Sequence, residues 1–536
     1  MKRRACFLLL GFCAAAQLEG QCPDGTPPPC VPRLARAAAL SPTSVAVLPF
    51  ANRSPDTADV YLAEGMTEEI GNRLTQLGRL QVISRGMVAA QWRRSPDGLA
   101  AARALRVAWF VNGSVRHVSG QLLVNVELVR AITGEEVWAS RFPRSDRDMF
   151  AVQAEIAESV AAVVGGRLSP GERAAVTRRP TGNNEAYRLY LNASVLIRRR
   201  TEADTRSALV SLAEAVRLDP NFAAAWGRIG FARAQQASFG FERGARRDSL
   251  YDLSAHAAAR ALQLDSSAAD AWIAVGYVAI RRGDFAGAHS ALDRALRLDS
   301  LNAETLAKQG LLYGPLIGLD DRDLATAWFR RAAVLDPTDR NVWRNLSAIA
   351  AEGLQLRAAE ALADTALTFG RWSLALVQRA SVRFCLGNGT GALADIEEAE
   401  RLGGVPLPRP RALVTLLLGD SAPAREVVAR LRAQADSGQV LQEDLGSGSV
   451  TTAGELARFN MALGQRSEAL AAIERLRATP DSLEPRCSAA ATCSVSLRTW
   501  RLLHDPIFAP LRAEPRWVRL LEETRPRVTW LEGPGQ

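Results

Sequence analysis

From about residue 186 onward one helical register restarts again and again, and this constrains the fold more than any other feature of the chain. Residues 271–276 carry Ala271, Trp272 and Gly276, followed by Gly283, Ala288, Leu292, Ala295 and Leu298-Asp299. Trp226 with Gly230, and Trp343 with Leu346, start the same pattern. The segment endings recur as Arg217-Leu218-Asp219-Pro220, Gln263-Leu264-Asp265, Arg297-Leu298-Asp299 and Val334-Leu335-Asp336-Pro337. Successive aspartates of this series stand 46, 34 and 37 residues apart. A period of about 34 residues is a helix-turn-helix unit that cannot bury its own apolar face, so neighbouring units stack into a solenoid. The copies are clearest over 186–402, with irregular ones near 411–435 and 453–478, so the solenoid is assigned to 186–478. The longest spacing predicts an insertion around Phe239 to Asp248, as a longer helix or a loop. Residues 479–536 read as a loop followed by capping helices around Asp505 to Phe508 and Leu511 to Trp517, because terminal repeats need a polar outer face.

The chain starts with a pattern of its own. Lys2, Arg3 and Arg4 precede the short apolar run Ala5 to Phe12 and the small residues Ala14, Ala15 and Ala16. This is the grammar of a secretory signal cleaved near Ala16, with an uncleaved anchor as the competing reading. The run is shorter than the roughly 20 residues that span a bilayer. A periplasmic or secreted protein with no membrane span after signal removal is expected. Loss of the three basic residues takes the net charge from +9 to +6, which does not call for a polyanionic partner. Of the 66 basic residues only Lys2 and Lys308 are lysine, a skew attributed to genome base composition.

Cysteine usage fits export. Cys22 and Cys30 bracket a proline-rich loop within the segment 17–40, and Cys487 and Cys493 bracket a Ser/Ala loop. Both pairs are candidate local disulfides in an oxidising space. Cys385 is left over on a predicted helix, as a buried free thiol. The scattered histidines and the lack of a Cys-x2-Cys pair give no metal site, and no cofactor motif is present.

Residues 41–168 follow a different pattern. Ser44 to Phe50 reads as a strand, and Ala63, Met66, Ile70, Leu74 and Leu77 form one helical face that stops at Gly78. Leu80 to Ile83 is a second strand and Gly98 to Leu105 a second helix. Alternation at Trp109, Val111, Gly113 and Val115, and again at Leu122, Val124, Val126 and Leu128, makes a hairpin through Ser119-Gly120. A strand from Glu136 to Phe142 and a helix through Val152, Ile156, Val160 and Val163 close a β-α-β-α-β-β-β-α module. The expected fold class is therefore α/β plus all-α, with a linker at 169–185.

Several pieces of this module resemble a family. Ser44 to Phe50, Glu64-Gly65-Met66-Thr67-Glu68-Glu69-Ile70 and Leu80 to Arg85 look like the TolB-amino-terminal-like domain of bacterial regulatory proteins. Asn112 to Arg116, Thr133-Gly134, Val137-Trp138, Arg141-Phe142 and Phe150 to Gln153 continue the likeness. The resemblance implies tetratricopeptide repeats downstream. It also implies a usual upstream kinase, cyclase or winged-helix domain, whose place a signal segment takes here. Glu64, Glu68 and Glu69 are placed near the start of a helix, where carboxylates favour the positive dipole end. No histidine or second acidic cluster joins them for acid/base work.

In the solenoid, functional side chains belong on the inner face of each first helix. By register that face includes Phe231, Gln235, Tyr277, Arg281, Leu311 and Arg344, which are the candidate partner-binding groove. Aromatic and arginine side chains are enriched at binding hot spots. Phe231 and Tyr277 also admit a second reading, packing against the next repeat. The tryptophans are assigned to packing, beside the small residues Gly276, Ala288 and Ala295. Lys308 does not sit in a phosphate-binding loop, no kinase signature or Gly-x-Ser-x-Gly elbow is present, and His504-Asp505 reads as a helix-start turn. The expectation is a non-enzymatic exported scaffold that binds a protein or peptide in the cell envelope, with no nucleic acid. The alternatives are a sensor subunit for a separate membrane kinase or cyclase, and an uncharted enzyme.

Overall fold

The structure, a computed structural model, describes residues 41–56, 59–145, 148–238, 244–314, 318–319, 321–403, 406–436, 452–478 and 502–524. The signal segment, the loop 17–40 and the candidate disulfide cysteines Cys22, Cys30, Cys487 and Cys493 lie outside these residues.

The first module is a six-stranded sheet with helices on both faces. Its elements are β1 (Ser44–Val47), β2 (Ala51–Asn52), α1 (Val60–Gln76), β3 (Gln81–Val82), α2 (Arg85–Arg94), α3 (Gly98–Leu105), β4 (Trp109–Val118), β5 (Gln121–Arg130), β6 (Glu136–Ser145) and α4 (Met149–Gly165). The strand order is β3-β1-β4-β5-β6, with β2 paired to β4. β1 runs parallel to β3 and β4, and β4, β5 and β6 form an antiparallel meander. The five apolar residues expected on one face of α1 are all buried. Strand alternation splits the sheet's side chains: Val45, Val47, Val111 and Val124 face α1 and α4, while Ala46, Leu48 and Phe110 face α2 and α3. Helix α2 and the short β2 are additions to the expected order.

The predicted linker at 169–185 is in part a helix, α5 (Pro170–Thr177). Ser169 accepts from the backbone N–H of Glu172 and Glu172 reaches back to Ser169, a capping box with proline at the first turn. Val176 is fully buried, and Arg73 donates to its carbonyl, which ties the segment to α1.

Helical pairs then follow: α6 (Asn184–Arg199) with α7 (Glu202–Leu218), α8 (Ala223–Ser238) with α9 (Gly244–Leu264), and α10 (Ala269–Arg282) with α11 (Phe285–Leu298). Next come α12 (Ala303–Tyr313) with α13 (Arg322–Leu335), α14 (Arg340–Glu352) with α15 (Leu356–Thr368), and α16 (Ser373–Cys385) with α17 (Gly389–Gly403). Two shorter pairs are α18 (Pro408–Leu417) with α19 (Ala422–Asp436) and α20 (Thr452–Ala462) with α21 (Arg466–Ala478). A 3-10 turn at Pro506–Leu511 and a terminal helix at Pro515–Thr524 bury Phe508 and Trp517 against the last pair. Part of the insertion expected near 239–248 is the lengthening of α9 to 21 residues.

The recurring aspartates prove to be one device used four times. Asp219, Asp265, Asp299 and Asp336 each cap a helix end and accept from the backbone N–H two residues on, at 3.0, 2.8, 3.1 and 3.0 Å. Such Asx turns fix the sharp reversal between repeats. After three of them a tryptophan one turn into the next helix donates its Nε1–H back across the turn. Trp226 reaches the Pro220 carbonyl, Trp272 that of Ser266 and Trp343 that of Pro337, at 3.0, 2.9 and 2.8 Å. In two of the pairs a glycine brings the helices close: a Cβ at Gly276 would lie 2.7 Å from Leu292, and one at Gly310 2.7 Å from Phe329. Trp343→Phe removes one ring of the indole and one buried hydrogen bond, so urea unfolding should show a loss of about 1–3 kcal/mol. An unchanged midpoint would mean that the bond across the turn contributes nothing.

The two modules share a core, which runs from the sheet through α1 and α4 into α6, α7 and α8. Leu191 of α6 fits against Gly65 of α1, where a Cβ would stand 3.1 Å from its methyl carbon. Tyr187 stacks on Phe150 at 4.0 Å and donates its hydroxyl hydrogen to Gln153. A second contact reaches further along the chain. Ser84 donates to the Leu335 carbonyl, Gly86 lies so close to Asp336 that no Cβ fits, and Arg93 sits over the Phe369 ring. Two of the three glutamates of α1, Glu64 and Glu68, reach arginines of other helices. They lie beyond the helix's first turn, which carries no acidic residue, so the dipole reading is replaced by ion pairing. Glu68 meets Arg198 and Arg85, Glu64 lies 3.6 Å from each of those arginines, and Glu69 pairs with Arg73. Burial works against the Glu68 charge, yet Arg198 and Arg85 hold its carboxyl down to about 2. Burial also pushes the Arg198 guanidinium down, so the pair contributes less than the carboxylate's displacement alone implies.

Candidate functional site

First helices of successive repeats turn the same face inward, and their inward residues enclose one cavity of about 60 Å3. Phe231 and Gln235 come from α8, Tyr277 and Arg281 from α10, Leu311 from α12 and Arg344 from α14, and all six line it. These six residues span 113 positions of the chain, from Phe231 to Arg344. Gln235 is buried and donates to the Ile197 carbonyl at 3.3 Å, while its Oε1 is enclosed without a donor.

The polar heart of the cavity was not anticipated. Arg200 caps the end of α6 in a left-handed conformation, φ 56°, and extends its guanidinium across to Glu304 at 2.6 Å and Asp339 at 3.1 Å. It therefore ties the first repeat to the first turn of α12 and to the residue that caps α14. Lys308 lies one turn beyond Glu304 and pairs with it at 2.7 Å. Its ammonium stands 4.1 Å from the centre of the Tyr277 ring and 5.8 Å from that of Phe231. Both aromatic residues are buried, so they pack and at the same time hold this cation. Asn341, Asn345, Trp372 and Phe329 complete the wall. One signal for Lys308 was available in the sequence: apart from Lys2 it is the chain's sole lysine.

Charge is distributed unevenly here. Burial raises the Glu304 carboxyl, but Arg200 and Lys308 outweigh it and hold the group down to about 2. Burial leaves the Asp339 carboxyl raised, although Arg200, which it shares with Glu304, favours its charge. Burial also opposes the charge on Arg200, and the two carboxylates more than compensate. Arg344 differs: burial pushes its guanidinium down to about 10 and no carboxylate offsets it.

Elsewhere, Cys385 is a half-buried free thiol pushed up to about 12 by burial, which suppresses the reactive thiolate at neutral pH. Asp505 accepts from the Ile507 N–H as the start of the terminal turn, so His504-Asp505 has the structural role expected of it. Among the described residues no cluster of metal-ligating side chains occurs, and no helix is long and apolar enough to cross a membrane.

Residues 41–159 match the family model described as HilA/YgeH-like transcriptional regulator, second domain. That name differs from the TolB-amino-terminal-like resemblance drawn from the motifs, and the match is confined to the α/β module. A protein of Rhizobium meliloti (strain 1021), provisionally named adenylate cyclase 3, is 32% identical over 182 residues, or 34% of this chain. The chain matches only 31% of that relative's length. Among solved structures, Pseudomonas aeruginosa PilF is similar with 17% identity and a TM-score of 0.30 over 41% of this chain and 94% of its own. Yeast Tom70 is similar with 14% identity and a TM-score of 0.34 over 87% of this chain and 92% of its own. Superpositions this loose add nothing to the fold, which rests on the chain's own elements: an α/β module followed by stacked helical pairs of tetratricopeptide type.

Proposed function

We propose that the protein is a non-enzymatic binding scaffold whose repeat wall, around Tyr277, Arg281, Leu311 and Arg344, receives a protein or peptide partner in the cell envelope. The observation that carries this reading is the convergence of six register-selected side chains, from four different helices, on one cavity. Aromatic rings and arginines in a partly enclosed pocket are the usual composition of a binding hot spot. The α/β module, docked through α1 and α4 onto α6, serves as the fixed platform. Export rests on the first sixteen residues, and fractionation of a tagged copy tests it: an envelope or secreted pool is expected, and a purely cytoplasmic pool would overturn it. The regulatory reading, a subunit acting on a separate kinase or cyclase, follows from the usual neighbours of the resembling family and gains no support from the site's geometry.

The binding test is capture from an envelope fraction by the full chain, compared with Tyr277→Ala and Arg281→Ala. A loss of about tenfold or more is expected for a hot-spot pair, with circular dichroism confirming that both variants stay folded. Undiminished capture by both folded variants would remove the wall from the recognition surface.

A further inference from the structure

We propose that the cavity is a built site for one carboxylate group, received beside Arg344. The inference deepens the reading of the repeat wall as a recognition surface and rests on it. Its basis is a mismatch of charge. Four cations line the cavity, Arg200, Arg281, Lys308 and Arg344, against two carboxylates, Glu304 and Asp339. Arg281 lies over the Tyr251 ring. Arg200 takes both acids, and Lys308 shares Glu304. Arg344 takes neither acid; its guanidinium carbon lies 5.9 Å from the centre of the Trp372 ring. Among the described residues no carboxylate lies within ion-pair distance of it; its NH2 group donates to Asn345 at 3.3 Å and its Nε is enclosed with no acceptor. Arg344 is half-buried, so its unmatched charge is partly desolvated, and the fork of a guanidinium matches a carboxylate in two parallel hydrogen bonds. The missing component is therefore an anion with two oxygens in one plane.

Size narrows the ligand further. The cavity holds about 60 Å3, where a water needs about 10–15 Å3. That is room for a carboxylate on a short stem and too little for a helix or a bulky ester. The ring walls of Tyr277, Phe329 and Trp372 suit the methylenes of such a stem. Lys308 supports the assignment independently. In a chain that otherwise uses arginine throughout residues 3–536, the one lysine stands on this wall. Its ammonium stands 4.1 Å from the centre of the Tyr277 ring and 5.8 Å from that of Phe231, a compact charge held against two aromatic faces. The carboxylate has two sources, an acidic side chain of a bound peptide or a free small acid, and the test separates them.

The experiment uses the full chain with three probes at equal ionic strength: sodium succinate, the end-blocked peptide acetyl-Gly-Asp-Gly-amide, and inorganic phosphate. A saturable rise in melting temperature is expected with at least one carboxylate probe. Succinate alone identifies a free acid, the peptide alone identifies an acidic side chain, and both together leave the shared chemistry established. Arg344→Gln should weaken the response about tenfold or more, the loss of one charge-assisted pair of bonds. A second reading needs no variant: acylation of Lys308, followed by mass spectrometry, should slow about tenfold with the probe at ten times its Kd. The proposal is overturned if phosphate matches the carboxylates, if neither carboxylate protects Lys308, or if a folded Arg344→Gln protein responds as the parent does. Lost carboxylate binding with intact dependence of capture on Tyr277 and Arg281 would sink this inference and leave the scaffold reading standing. The reverse pattern would sink the scaffold reading and leave a small-acid site.

Discussion

Arg200→Ala should destabilise the protein by about 3–5 kcal/mol at neutral pH, because it leaves two enclosed carboxylates short of their cation. Arg200 is the bond between the first repeat and the repeats built on α12 and α14, with its side chain only 16% exposed. The loss carries a pH signature. In the parent the Glu304 carboxyl is held down to about 2, below its ordinary value of 4.5. A carboxyl lowered by folding contributes stability above its unfolded value, and that contribution fades as the pH falls through the folded value. Without Arg200 both Glu304 and Asp339 rise, and a raised carboxyl costs stability only where it is ionised. The gap between parent and variant should therefore be widest near pH 7 and narrow below about pH 4. Urea unfolding at both pH values measures it. A gap that is small, or equal at both, would mean that Arg200 is not the strut described here.

Leu191→Asp should cost roughly 4 kcal/mol or more, since it buries an unpaired charge in the core shared by the two modules. Leu191 lies against Gly65 with no space for a water shell, and Tyr187 one turn before it stacks on Phe150. The expected consequence is local: α1 and α4 lose their partner while the later repeats keep their own core. Limited proteolysis should then release the α/β module from an intact C-terminal fragment. If the variant resists protease as the parent does, the two modules are not one body.

Much of this arrangement was written in the sequence, for identifiable reasons. The Leu-Asp endings were readable because each aspartate closes a turn within two residues of itself, and the tryptophans because each answers its own turn. The six inward residues were readable because helical register is a local property. What escaped depends on distance in space. Arg200 sits in a run of three arginines and meets partners 104 and 139 residues away. Its role is set by the superhelical twist, which no single repeat contains. Helix α2 escaped because Met87, Val88 and Trp92 make too sparse an apolar stripe. Helix α5 escaped for a different reason: Ser169, Pro170 and Glu172 spell a capping box, but flanking glycine and proline drew the reading toward a linker. Helical position alone says nothing of the partners of Glu64 and Glu68, because Arg85 and Arg198 come from α2 and α6.

The central claim is that recognition happens on the inner wall and not on the outer one. A photo-reactive amino acid placed at Leu311, which lines the cavity, tests it against the same group at Val210, which is 72% exposed. Irradiation in an envelope fraction should give a discrete adduct from position 311 and none above background from position 210. Adducts of equal yield at both positions, or at 210 alone, would contradict the account.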